Sequence, residues 1–163
     1  MNRKTKVIII TGTSSAGKTT LVHHLKLKLP KDLFEVYDFD EKGVPINSDQ
    51  QWRQKTTDYW LIKAFQNSQI NKSTIICGVV VPAEVICSTV KPALPLCFGF
   101  IKVSDVIIKS RLQARGWGDQ LVQDNINWAN YLEAEVKKQN CYRIVASCSY
   151  SGPEEVAQEF IHF

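Results

Sequence analysis

Residues 7–25 read VIIITGTSSAGKTTLVHHL, and this stretch decides the fold. Val7 to Ile10 is β-branched throughout, as in a strand buried on both faces. Gly12-Thr13-Ser14-Ser15-Ala16-Gly17-Lys18-Thr19 fits the pattern G-x-x-x-x-G-K-[ST]. Leu21, Leu25 and Leu29 then recur every four residues, a helix stripe that Pro30 stops. A buried strand, a glycine-rich turn and a helix in that order form the context that gives this pattern its meaning. Gly12 and Gly17 permit turns that side chains would forbid. Successive N–H groups can then face one centre, and the positive end of the helix adds to their field. The segment from Gly12, Thr13, Ser14, Ser15, Ala16, Gly17 and Lys18 to Thr19 and Thr20 is therefore expected to bind a nucleotide triphosphate. Lys18 brings charge to the β- and γ-phosphates, and the Thr19 hydroxyl can ligate Mg²⁺.

The rest of the chain alternates short apolar runs with longer amphipathic ones. Strands are expected at LFEVYDF (33–39), STIIC (73–77), LCFGFIKV (96–103) and YRIVA (142–146). Helices are expected over about 49–69, from Pro82, over about 104–114, after Asp124 as a cap, and after Ser151 and Glu154 as a capping box. RGWGDQLVQD (115–124) reads as a loop. Five strands alternating with helices predict an α/β fold: a three-layer arrangement of one five-stranded parallel sheet flanked by helices, with a short lid. The 163 residues suit a single domain, with the lid at about 115–124 and a region covering the phosphate acceptor at about 41–70.

The net charge of +4 suits an anionic ligand, but no block of Lys and Arg points to nucleic acid. No apolar run approaches a membrane span, and the expected location is the cytoplasm. Five cysteines without a C-x-x-C pair read as reduced thiols, not as a disulfide frame or a zinc site.

Two absences narrow the chemistry. No N-K-x-D motif is present to read a guanine base, and the third strand runs into TIICGVVVP where an acid is usual. The acids stand instead at the end of the second strand, in YDFDE. Carboxyl ends of parallel strands face the ligand crevice. Asp38 and Asp40 share one side of an extended chain. One can serve Mg²⁺, and the other can take the proton of an attacking hydroxyl.

The order of phosphate loop, D-x-D after the second strand and an arginine-bearing helix after the fourth resembles the small P-loop kinases. These form the adenylate-kinase-like superfamily, and the layout is similar to its shikimate kinase and chloramphenicol phosphotransferase type. SSAGK (14–18) resembles the chloramphenicol phosphotransferase loop, and Asp38-x-Asp40 the shikimate kinase pair. The resemblance implies that Asp38 stands near the metal, that Asp40 binds the acceptor hydroxyl and that Arg53 contacts substrate. It also sets Gly78 where shikimate kinase has a substrate-binding triple glycine. This chain departs there, with one glycine followed by VVVP, and it lacks that family's lid motif.

Ile107, Arg111 and Arg115 are four apart, so they share a helix face. Two guanidinium groups there can neutralise charge on a moving phosphoryl group. Gly116 and Gly118 flank Trp117 as hinges flank a flap. Trp52, Tyr59 and Trp60 have the spacing of core aromatics on a helix, with stacking on an acceptor as the other reading. Ser147, Cys148 and Ser149 follow the last strand, where such kinases hold adenine.

The expectation is a kinase using ATP and Mg²⁺, with a small-molecule acceptor such as a nucleoside, nucleotide or polar metabolite. Lys18, Asp40, Arg111 and Arg115 carry catalysis. Thr19 and Asp38 hold the metal, and Asp40, Arg53 and Gly78 meet the substrate. The rival expectation is a nucleotide-binding module that hydrolyses slowly and acts through a protein partner.

Overall fold

The computed structural model describes residues 4–147 and 152–163. Five strands form one parallel sheet: β1 (Val7–Thr11), β2 (Phe34–Asp38), β3 (Ser73–Gly78), β4 (Leu96–Lys102) and β5 (Tyr142–Ala146). Their spatial order is β2-β3-β1-β4-β5. The helices are α1 (Lys18–Lys28), α2 (Gln50–Gln69), α3 (Pro82–Ile86), α4 (Asp105–Gln113), α5 (Asp119–Lys137) and α6 (Pro153–Ile161).

The three layers follow from the period of two along β1. Ile8 and Ile10 face a core built with Leu21, Leu25, Leu112 and Phe160. Val7 and Ile9 face the opposite core, with Trp60, Leu61, Val85 and Phe100. The fold is the α/β sandwich that the strand–helix alternation predicts. Trp60 is fully buried and donates its indole N–H to Phe39 O at 3.0 Å, so it is a core residue. Tyr59 is exposed, with Lys42 over its ring. Among the described residues no helix is long and apolar enough to cross a membrane.

Three local expectations are corrected. Helix α5 starts at Asp119 with Gly118 as its N-cap, so Asp124 lies inside it and accepts from Gln120 Nε2 at 2.9 Å. Val122 and Ile126 are buried and extend the stripe of Ala129, Leu132 and Val136 by about two turns toward the N-terminus. The cap of α6 is Gly152, with no side-chain hydrogen bond. Ser151 lies outside the described residues, as do Cys148 and Ser149. Finally, Cys97 and Cys141 form a disulfide, against the expectation of reduced thiols. The register Phe98↔Tyr142 sets the two residues side by side at the entry of β4 and β5. A separation of 44 residues hides that pairing in the sequence.

Candidate active site

The site lies at the carboxyl ends of β1, β2 and β3 and is built around the phosphate loop. Ser15 has φ 67° and Gly17 φ 90°, both left-handed. Left-handed residues alternating with right-handed ones curl N–H groups into an anion nest. Gly12 is fixed by space: a Cβ would sit 3.2 Å from Ala16 Cβ and 3.3 Å from Ile101 O. The nest is held from outside. Thr13 Oγ1 donates to Asn125 O at 3.2 Å and also bonds the Asn125 side chain. Arg111 Nη1 donates to Ser15 O at 2.8 Å.

Lys18 donates to Thr13 O at 2.6 Å. Burial pushes its ammonium down to about 8; Asp40 and Asp38 oppose this and Arg115 adds to it. A cation held so far below its ordinary range stands where an anion would restore it. Ser15 Oγ is buried without a hydrogen-bond partner among the described residues and lines a cavity of 280 Å³. Thr20, Ile101, Arg111, Arg115 and Ser147 share that cavity. An unpaired hydroxyl and a depressed lysine both fit a phosphate chain.

Arg111 lies in α4, which ends at Gln113, and Arg115 lies in the turn that follows. Trp117 N donates to Leu112 O and Gly116 N to Gln113 O, the paired bonds of a Schellman turn. Gly116 takes φ 80°, and Trp117 packs against the core that contains Leu112. The turn continues the α4 face far enough for Arg111 and Arg115 to line one cavity. The segment 115–124 thus consists of this turn and the start of α5.

The acids come from β2. Its register pairs Asp38 with Cys77, so β2 supplies a carboxylate beside the end of β3, which has none. Thr19 Oγ1 donates to Asp38 Oδ2 at 2.9 Å, and Asp40 N donates to Asp38 Oδ1 at 3.0 Å. A threonine hydroxyl and a carboxylate in contact are hard oxygen donors suited to Mg²⁺, which takes few protein ligands alongside phosphates. Asp40 has no such side-chain anchor among the described contacts. Desolvation, and then the charge of Asp38, raise its carboxyl above the ordinary range, with Lys18 opposing.

Helices α2 and α3 flank the same end of the sheet. Trp52 stands edge-on to Phe39 with ring centres 6.1 Å apart. Arg53 pairs with Glu84 on α3 at 3.0 Å. Gly78 lies under Phe39: a Cβ there would come within 2.1 Å of Phe39 Cβ. Packing therefore accounts for this glycine. The sequence reading missed Asn125, Glu84 and Ile101. Ile101 had a signal, since it lies near the carboxyl end of an apolar strand; Asn125 and Glu84 had none in their local sequence.

Residues 8–138 match the AAA domain family, and the chain belongs to it. No curated protein matches the sequence. Solved structures share the fold at low identity. A tunicamycin resistance protein of Deinococcus radiodurans has a TM-score of 0.67 at 16% identity, covering 98% of this chain and 95% of its own. A sugar kinase from Janibacter sp. gives 0.63 at 15%, covering 97% and 93%. Shikimate kinase from Acinetobacter baumannii, solved with shikimate, gives 0.62 at 13%, covering 97% and 92%. The fold is that of the small P-loop kinases, the type that the motif layout resembles.

Proposed function

We propose that this protein is a Mg²⁺-dependent phosphotransferase that moves the γ-phosphate of ATP to a hydroxyl of a small molecule. The observation that carries this reading is the arrangement of β2 against the phosphate loop. Asp38 is bonded to Thr19, while Asp40, two residues on, stays unanchored with a raised affinity for protons. A bare nucleotide-binding module has no use for that second acid.

The geometry supports the following roles. The nest amides and Lys18 hold the triphosphate, and Arg111 and Arg115 approach it from α4. Thr19 and Asp38 would hold Mg²⁺, which would supply charge neutralisation for the phosphate oxygens. Asp40 accepts the proton of the acceptor hydroxyl as its oxygen bonds to the γ-phosphorus and the bond to ADP breaks. The solved relatives act on such different compounds that their names do not choose the acceptor.

The test is acceptor-dependent release of ADP from Mg-ATP across nucleosides, nucleotides, sugars and hydroxy acids, with Lys18→Ala as the blank. Turnover that needs both an acceptor and Lys18 is expected. Tight ATP binding with no acceptor-dependent turnover would favour the binding module instead.

A further inference from the structure

The phosphate loop leaves the sheet after Thr11, which is in register with Gly78 of β3 and Phe100 of β4. Beyond Thr11 the strand ladder no longer fixes the chain. Gly12 is confined by Ala16 and Ile101. Thr13 comes next and anchors the inside of the loop. Its carbonyl oxygen accepts from Lys18 Nζ at 2.6 Å and from Ala16 N at 3.2 Å. That carbonyl is therefore the resting place of the lysine. It shares a rigid plane with the N–H of Ser14, which points the opposite way. Turning this one peptide moves both the lysine and an amide of the nest.

Packing alone leaves Thr13 room to turn. It is 1% exposed, yet it lines a cavity of 70 Å³ with Ile108 of α4 and Ala129 of α5. Its side chain is held by one residue. Thr13 Oγ1 donates to Asn125 O at 3.2 Å and also bonds the Asn125 side chain. A hydroxyl has a single proton. The carbonyl of Asn125 already serves the i→i+4 ladder of α5, so the side-chain oxygen is the better acceptor for it.

Helix α5 is a firm base for this tie. Val122 and Ile126 flank Asn125 in the helix and are buried in the same core as Ala16 and Ile101. Asparagine is a poor choice for a helix interior, because its amide competes for backbone hydrogen bonds. Helix formation gives no reason for it inside α5. Its contact with Thr13 gives one.

We infer that Asn125 is a positioning residue for the triphosphate: through Thr13 it fixes the peptide that orients Lys18 and the Ser14 N–H. Helix α5 is thereby part of the phosphate site, although it touches the loop only from behind. This rests on the phosphate-binding part of the reading above and needs no acceptor.

The probe is inorganic tripolyphosphate with Mg²⁺, which engages the loop with neither base nor acceptor. Asn125→Ala is expected to weaken its binding in calorimetry at least about fivefold. The melting temperature is expected to stay near that of wild type, because alanine favours the helix. Thr13→Val keeps the shape and removes the hydroxyl, and a similar loss is expected. The double variant is expected to bind no worse than the poorer single one, since both remove the same tie. Asn125→Asp restores an oxygen acceptor. Its charge weakens anion binding in itself, so rescue is read as renewed coupling: adding Thr13→Val to it costs about fivefold again. With an acceptor that turns over, KM for ATP rises in Asn125→Ala while the acceptor KM keeps its wild-type value. General loosening of the fold does not give that split.

Unchanged tripolyphosphate affinity in folded Asn125→Ala overturns the inference, and so do losses that add in the double variant. If Asn125→Ala fails to fold, Asn125→Asp with and without Thr13→Val decides: no further loss on adding Thr13→Val overturns the inference. Wild type that binds tripolyphosphate but transfers no phosphate overturns the phosphotransferase reading and leaves this inference standing. Wild type that binds no tripolyphosphate overturns both.

Discussion

The Thr19 hydroxyl donates to Asp38 Oδ2 at 2.9 Å, tying the end of β2 to the first turn of α1. The bond joins the two oxygen donors proposed to hold Mg²⁺. Asp38 also accepts from Asp40 N, so its carboxylate is oriented from both sides. Asp38→Asn keeps the shape and much of the hydrogen bonding but loses the charge. Its apparent Mg²⁺ affinity in ATP turnover is expected to fall at least about tenfold, with the fold unchanged by circular dichroism. An unaltered Mg²⁺ titration would remove Asp38 from the metal site.

Lys18 gives a proton-linked signature of nucleotide binding. In the free protein burial holds its pKa to about 8, against the ordinary 10.5. A bound triphosphate favours the charged form and raises that pKa. Binding should therefore take up protons between about pH 8 and 10 and take up almost none from this group at pH 6, where Lys18 is already charged. Calorimetry of ATP binding in buffers of different ionisation enthalpy measures that uptake. Lys18→Met should abolish the Lys18 share of it and weaken binding.

The fold was legible because its signals are local. All five strands stand where their apolar runs placed them, and the phosphate loop announced both β1 and α1. What stayed hidden depends on contacts between distant segments. The Cys97–Cys141 bond arises from the register of β4 and β5, which no spacing rule encodes. The start of α5 was read late because Gly118 caps it without a side chain. Arg53 was read by resemblance as a substrate contact, and its partner Glu84, from another element 31 positions away, was not visible in the sequence.

Asp40 sets a pH dependence whose sign is fixed by its role. A general base works deprotonated, so kcat/KM should fall as pH drops through the pKa of Asp40. Desolvation and the charge of Asp38 raise that pKa in the free protein, so the acid limb should lie above the ordinary carboxylate value of 3.8. Asp40→Asn should erase this limb and lower turnover at least about 100-fold while ATP still binds. Turnover within a few-fold of wild type would make Asp40 a bystander.

Two glycines near the site are needed for opposite reasons, and alanine distinguishes them. At Gly116 nothing lies within 4 Å of an added Cβ, but φ is 80°. Gly116→Ala should cost about 1 kcal/mol, the strain of a left-handed residue, and Gly116→Asn less, because asparagine tolerates that region. At Gly78 the conformation is ordinary and the space is missing, with Phe39 Cβ 2.1 Å from the added atom. Gly78→Ala should cost about 1–3 kcal/mol by overpacking. It should also depress turnover, because a shifted Phe39 carries Asp38 and Asp40 with it. Shortening the neighbour in Gly78→Ala/Phe39→Leu cannot remove a clash at Cβ, so the double variant should recover little. Urea unfolding of all four proteins, read beside their ADP release, checks the set. Wild-type stability in Gly78→Ala would show that β2 can move away from β3 without cost, and the rigid placement of the two acids would fall with it.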